Sequence, residues 1–137
     1  MKILAWLKTR YRGQRLQRGL DETSATDPES AMEATDPAVR RRAVRALGEM
    51  GGYYTVDRII AALDDPDDHV RLEAVIALGK IGDPRAVEPL IRKLKSYDYF
   101  YVRKKAAYTL YTFLEQENLD DDLRQKIRSH WRSWYLT

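Results

Sequence analysis

The sequence predicts an all-α protein, a short solenoid of stacked helix pairs with a capping helix at either end. Three observations predict it. A segment recurs three times without gaps, as AVRRRAVRALGEMG (38–51), HVRLEAVIALGKIG (69–82) and YVRKKAAYTLYTFL (101–114). Each copy carries its apolar residues at helical spacing. In the second copy, a glycine and then Asp83-Pro84 stop one helix and start the next.

At the N-terminus, residues 1–20 hold six basic groups and no acid, and 21–37 hold six acids and no base. Such blocks read as a basic helix followed by an acidic connector, with mutual attraction the simpler explanation of the pattern. Ile3, Leu4, Leu7 and Tyr11 form one stripe, so 1–20 is expected to be an N-terminal capping helix docked on the first repeat. The connector is 21–36, with DPES (27–30) a helix start inside it, and 37–137 is the repeat domain with its C-terminal cap.

The repeat step is 31 residues from Val39 to Val70 and 32 from Val70 to Val102. The matched sets are Val39/Val70/Val102, Arg40/Arg71/Arg103, Ala43/Ala74/Ala106 and Leu47/Leu78/Leu110. Within one copy, Val70, Ala74, Ala77, Leu78 and Ile81 make a helical stripe. First helices are expected near 37–50, 67–81 and 99–115, and second helices near 54–63, 84–95 and 120–134. Gly51 and Gly82 suit the left-handed residue that ends a helix. Asp83 serves as N-cap with Pro84 in the first turn. Pro89 lies too deep for an uninterrupted helix from 84, so a kink or a late start is expected there. A single helix pair cannot bury both of its faces. Stacked copies can, which gives an α-solenoid.

The stretch DPDDHVRLEAVIALGKIGDPRAVEPLIRKL, Asp65 to Leu94, resembles the HEAT-like repeats of the phycobilisome-lyase type. The resemblance covers about 35–115: the second copy matches almost position by position, the first well, the third in its first helix alone. It implies two clear repeats and a divergent third. Copy three replaces Gly48/Gly79 with Tyr111 and Gly51/Gly82 with Leu114. Its turn is EQENLDDD, and its basic second helix, with Leu123, Ile127, Trp131 and Trp134, reads as a C-terminal cap.

For function, the resemblance implies a non-catalytic scaffold or adaptor that binds another protein. The alternative it implies is an accessory subunit in bilin attachment to, or release from, phycobiliproteins. Lyases of that type usually carry more repeats and often work as two-subunit pairs, so this chain would then need a partner. Iron-binding HEAT-repeat hydroxylases use His-Glu pairs, and neither His69 nor His130 is followed by Glu.

Chemistry-bearing patterns are few. With no cysteine, disulfides and thiolate metal sites are excluded, which fits a reducing compartment and a cytoplasmic location. No P-loop, nucleophile elbow, HExxH or dinucleotide fingerprint occurs, and no carboxylate, lysine or tyrosine pair stands out by spacing. No catalytic residue and no cofactor is therefore assigned. The acids of DDPDDH (64–69) could suit a hard cation, but helix N-termini collect acids for dipole reasons, and no metal is assigned. In this repeat class the recurring arginine usually pairs with an aspartate of a turn. Asp36, Asp67 and Asp68 are the candidates for Arg40, Arg71 and Arg103.

Residues 1–18, with Trp6 and six basic groups, could also lie on anionic lipid as a peripheral contact, competing with docking on the repeats. That apolar run is broken by Lys8 and Arg10 and has no small-residue cleavage site after it, so neither a membrane span nor a secretory signal is expected. RRRAVR (40–45) and RKK (103–105) raise a nucleic-acid reading, but a net charge of +3 with 21 acids is weak for it.

The aromatic run is the strongest lead to a partner. SYDYFYVRKKAAYTLYTF holds Tyr97, Tyr99, Phe100, Tyr101, Tyr108 and Tyr111, and Tyr101 replaces Ala38 and His69 of the earlier copies. Tyr97, Tyr99 and Tyr101, with Arg103 and Lys104 at the edge, are expected to meet a partner, the alternative being that some of them seal the last repeat. A second expected face, built from the second helices, presents Tyr54, Asp57, Arg58, Arg85, Glu88 and Arg92.

Overall fold

The computed structural model describes residues 27–135, the side chain of Tyr135 excepted. The expectations for the 1–20 helix, its stripe, its lipid contact and the first part of the acidic connector lie outside the described residues. The described residues form seven α-helices and one 3₁₀ turn, without a strand. The helices are α1 (Pro28–Ala31), α2 (Pro37–Met50), α3 (Tyr53–Ala62), α4 (Asp68–Ile81), α5 (Val87–Lys95), α6 (Phe100–Leu114) and α7 (Asp121–Tyr135).

Aspartate starts most of them. Asp27 accepts from the Ser30 N–H at 2.8 Å, Asp36 from Ala38 at 2.8 Å, and Asp67 from His69 and Val70 at 2.9 and 3.1 Å. Each side chain satisfies amides that the first turn leaves without a carbonyl. Proline follows the cap in α1, in α2 and in the 3₁₀ turn Pro84–Ala86. That 3₁₀ turn resolves the conflict at Pro89. The α-helix starts late, at Val87, so Pro89 is its third residue, where a backbone N–H would lack an intrahelical acceptor.

Gly82 ends α4 in the left-handed conformation, φ 71° and ψ 20°. Gly51 ends α2 differently, at φ 63° and ψ −163°, a region open essentially to glycine alone.

The first helices α2, α4 and α6 pack side by side in sequence order. Helix α3 packs on α4, α5 on α6, and α7 on both α5 and α6. The matched sets are the core: Ala43, Ala74 and Ala106 are each 0% exposed, as are Val70, Val102, Leu47 and Leu110. Close approach explains the internal glycines. A Cβ on Gly48 would lie 2.6 Å from Ala77 Cβ on α4, and one on Gly79 would lie 3.0 Å from Thr109 Cγ2 on α6. At the matching position of α6, the ring of Tyr111 instead lies 5.8 Å from that of Trp131 on α7. No further first helix approaches α6 among the described residues, so the constraint that demands glycine is lifted there.

The polar turn after α6 is anchored too. Gln116 Nε2 donates to the Gly82 carbonyl at 3.1 Å, and Arg124 donates to the Leu114 and Gln116 carbonyls at 2.6 and 2.9 Å. Ile127 is 0% exposed, and Leu123, Trp131 and Trp134 pack against the core, so α7 closes the end of the stack.

Candidate partner surface

The recurring arginines place this surface. Arg40 donates from Nε and Nη2 to Asp65 at 2.8 and 2.9 Å, and from Nη1 to the Ala34 and Thr35 carbonyls. Arg71 repeats the geometry one copy later, with Asp98 at 2.8 and 2.9 Å and the Asp65 and Pro66 carbonyls. Each guanidinium thus ties the turn before its helix to the turn after the following one.

The expected partners Asp36, Asp67 and Asp68 were the wrong aspartates. Asp36 and Asp67 are occupied as N-caps and Asp68 sits in the first turn of α4. An arginine early in a helix leans back toward its N-terminus, where the turn closing the helix pair passes. Three acids of DDPDDH are thereby placed: Asp65 on Arg40, Asp67 as cap and Asp68 in the first turn.

The Asp98 carboxylate organises the aromatic turn. Burial pushes its pKa up, but hydrogen bonds from Arg71, from the Tyr99 N–H and from Lys93 outweigh burial and lower it to about 2. Lys93 is itself buried, 3.1 Å from Asp98. With Asp98 turned inward, its neighbours turn out: Tyr97 is fully exposed, and Tyr99 and Phe100 are 62% and 61% exposed.

The rings form two groups. Tyr99 and Tyr101 stack at 5.8 Å with 15° between planes, and Tyr101 stacks on His69 of α4 at 6.5 Å. His69 and Tyr101 are matching positions of adjacent copies, so the stack runs across the repeat boundary. Phe100 stacks on Trp134 at 6.2 Å and Tyr111 lies against Trp131, which joins α6 to α7. Phe100 and Tyr111 thus contact the tryptophans of α7, Phe100 while still 61% exposed, and Tyr97, Tyr99 and Tyr108 remain largely exposed.

Lys104 is exposed on α6. Arg103 parts company with the tyrosines. It lies about 200° round the helix from Tyr101, on a groove shared with Lys95, Ser129, His130 and Trp134. Its Nε is buried without a hydrogen-bond partner.

Several of the second-helix residues are paired within the fold. Arg85 lies with its guanidinium carbon 3.8 Å above the Tyr53 ring centre, donates to the Tyr53 carbonyl at 2.7 Å and pairs with Asp83 at 3.0 Å. It latches the 3₁₀ turn to α3. Glu88 pairs with Lys126, joining α5 to α7, and the Lys126 hydrogen bond lowers its pKa. Arg58 approaches Glu33 at 4.0 Å. Tyr54, 85% exposed, meets the Tyr53 ring edge-on, and exposed Arg92 lines a cleft of about 340 Å³ with Ile60, Leu63 and Asp64.

Sequence reasoning missed Glu73. It is 5% exposed on α4 and accepts from Arg45 at 3.1 and 2.9 Å and from Arg41 at 3.4 Å. Burial raises its pKa, but the two arginines more than offset this and lower it. The aligned residues are Arg42 and Lys105, so the repeat pattern gave no signal for a buried carboxylate.

No helix among the described residues is long and apolar enough to cross a membrane. No curated protein compared with the chain matches it. The family profile for HEAT repeats matches residues 29–111, more than half of the chain. HEAT repeats commonly mediate protein–protein interaction. The profile spans α2 to α6, the helices whose stacking the buried alanines and close-approach glycines explain, and this chain belongs to the HEAT-repeat family.

Proposed function

We propose that the chain is a non-catalytic interaction module that holds another protein against Tyr97, Tyr99 and Tyr101, with Lys104 beside them. One observation carries the reading: the Asp98 anchor fixes a turn whose flanking tyrosines face solvent, Tyr97 completely. Stacking of Tyr99, Tyr101 and His69 already orders these rings, so little side-chain entropy is lost on contact. Exposed aromatic rings with a polar tip are favoured interface anchors.

The narrower likeness to phycobilisome-lyase repeats supports one class of partner, a phycobiliprotein subunit. Absorbance after co-expression with a bilin and such a subunit tests that narrower reading. The general one is tested by affinity capture from the native host with wild type and with Tyr97→Ala/Tyr99→Ala, followed by mass spectrometry. A protein held by wild type and lost by the double variant is expected. Identical captures would remove the surface.

A further inference from the structure

Arg103 is the third member of a set whose other two members each hold a carboxylate by the same guanidinium edge. Arg40 uses Nε and Nη2 on Asp65 at 2.8 and 2.9 Å, and Arg71 uses Nε and Nη2 on Asp98 at the same distances. Arg103 occupies the matching position of α6, yet its Nε is buried and unpartnered. Among the described residues no carboxylate reaches it.

What lies beside Arg103 fits an incoming acid. Arg103 lines a groove of about 590 Å³ together with Lys95, His130, Ser129, Leu94 and Trp134, and no carboxylate is among the lining residues. His130 Nδ1 lies 2.8 Å from the Lys126 carbonyl, which makes Nδ1 the donor. Lys95 and Arg103 give the groove positive charge, and Leu94 and Trp134 give it an apolar wall. A desolvated N–H on a charged group is unfavourable while it is unpaired, and a carboxylate on the Nε and Nη2 edge would relieve it.

We propose that this groove takes an aspartate or glutamate side chain from a partner protein, which completes on Arg103 the pairing that Asp65 and Asp98 complete on Arg40 and Arg71. The proposal rests on the reading of the chain as a protein-binding module and adds a second, acid-specific contact on the far side of α6 from Tyr101. A guanidinium fork suits carboxylate and phosphate alike; the carboxylate is favoured because Arg40 and Arg71 each hold one in this chain.

A phage-displayed library of random peptides, selected in parallel on the full wild-type chain and on Arg103→Gln, tests it. Peptides enriched on wild type should share one acid at a fixed position. As synthetic peptides they should bind Arg103→Gln and Arg103→Lys at least ~10-fold more weakly, as one bidentate charged pair is worth. Changing their shared acid to its amide should cost as much. Arg103→Gln removes no bond of the described residues and takes away an unpaired buried N–H of a charged group, so it should melt no earlier than wild type, and Arg103→Lys separates charge from fork geometry. Failure to enrich any peptide, enrichment without a common acid, or equal binding to Arg103→Gln would overturn the proposal. So would an oligothymidylate that binds with the same dependence on Arg103. Peptides that need Tyr97 and Tyr99 but ignore Arg103 would leave the interaction module standing and remove this site. Peptides with the opposite dependence would support the site and leave the tyrosine surface, on the far side of α6, to the capture experiment.

Discussion

Arg71 donates two parallel hydrogen bonds to Asp98, from Nε at 2.8 Å and Nη2 at 2.9 Å, across 27 residues of sequence. Lys93 joins at 3.1 Å and the Tyr99 N–H at 2.8 Å, so one carboxylate anchors α4, α5 and the start of α6. Asp98→Asn should destabilise the fold by about 1.5–3 kcal/mol at neutral pH, the range for hydrogen bonds to a charged group. The pH dependence has a definite sign. The folded pKa, about 2, lies below that of an unfolded aspartate, roughly 3.9. The contribution is therefore complete above about pH 4 and is lost as pH falls through about 2. Urea midpoints of wild type and Asp98→Asn should converge over that window. A gap independent of pH would contradict the assignment.

Gly48 makes a second point of contact between repeats, with Ala77 Cβ only 2.6 Å from where its own Cβ would be. Gly48→Ala gains up to about 1 kcal/mol of helix propensity but forces α2 away from α4, an overpacking that costs roughly 1–3 kcal/mol. The variant should melt earlier than wild type. The same change at Gly79 meets Thr109 Cγ2 at 3.0 Å, a less severe approach than the 2.6 Å at Gly48, and should cost less. A Gly48→Ala protein more stable than wild type would show that the two helices stand further apart.

Ala74 is 0% exposed between the stacked first helices. Ala74→Leu should overpack the same interface and lower stability by roughly 1–3 kcal/mol, seen in both thermal and urea melts. Unchanged melts would place Ala74 toward solvent and shift the register of α4.

What could be read from sequence was what the repeat imposes copy by copy. Val39, Val70 and Val102, and Ala43, Ala74 and Ala106, are all buried, the first of each set with Ala31 of α1 and the others in the main core. Gly48, Gly79 and Tyr111 were legible as a broken rule, and the cause of the break is the helix that each does or does not meet. Features depending on how a turn folds back were not legible. Asp64, Asp65, Asp67 and Asp68 look alike in DDPDD, and only the path of the turn selects Asp65 for Arg40. Pro89 signalled either a kink or a late start, and the structure shows the late start, whereas the separation of Arg103 from Tyr101 appears once the two are placed round α6.

The central claim is that the aromatic turn of the third repeat presents a surface and does not hold the fold together. Tyr97, fully exposed, and Tyr99, 62% exposed, are the residues on which it stands. The most direct measurement takes Tyr97→Ala/Tyr99→Ala, records its thermal melt and measures its affinity for the protein that wild type captures. Truncation of hot-spot tyrosines typically costs ~2 kcal/mol or more, about thirtyfold in affinity. A melt that overlays wild type together with such a loss of binding is the predicted result. An early melt with unchanged binding would contradict it: these tyrosines would then seal the last repeat, and the partner would have to bind elsewhere.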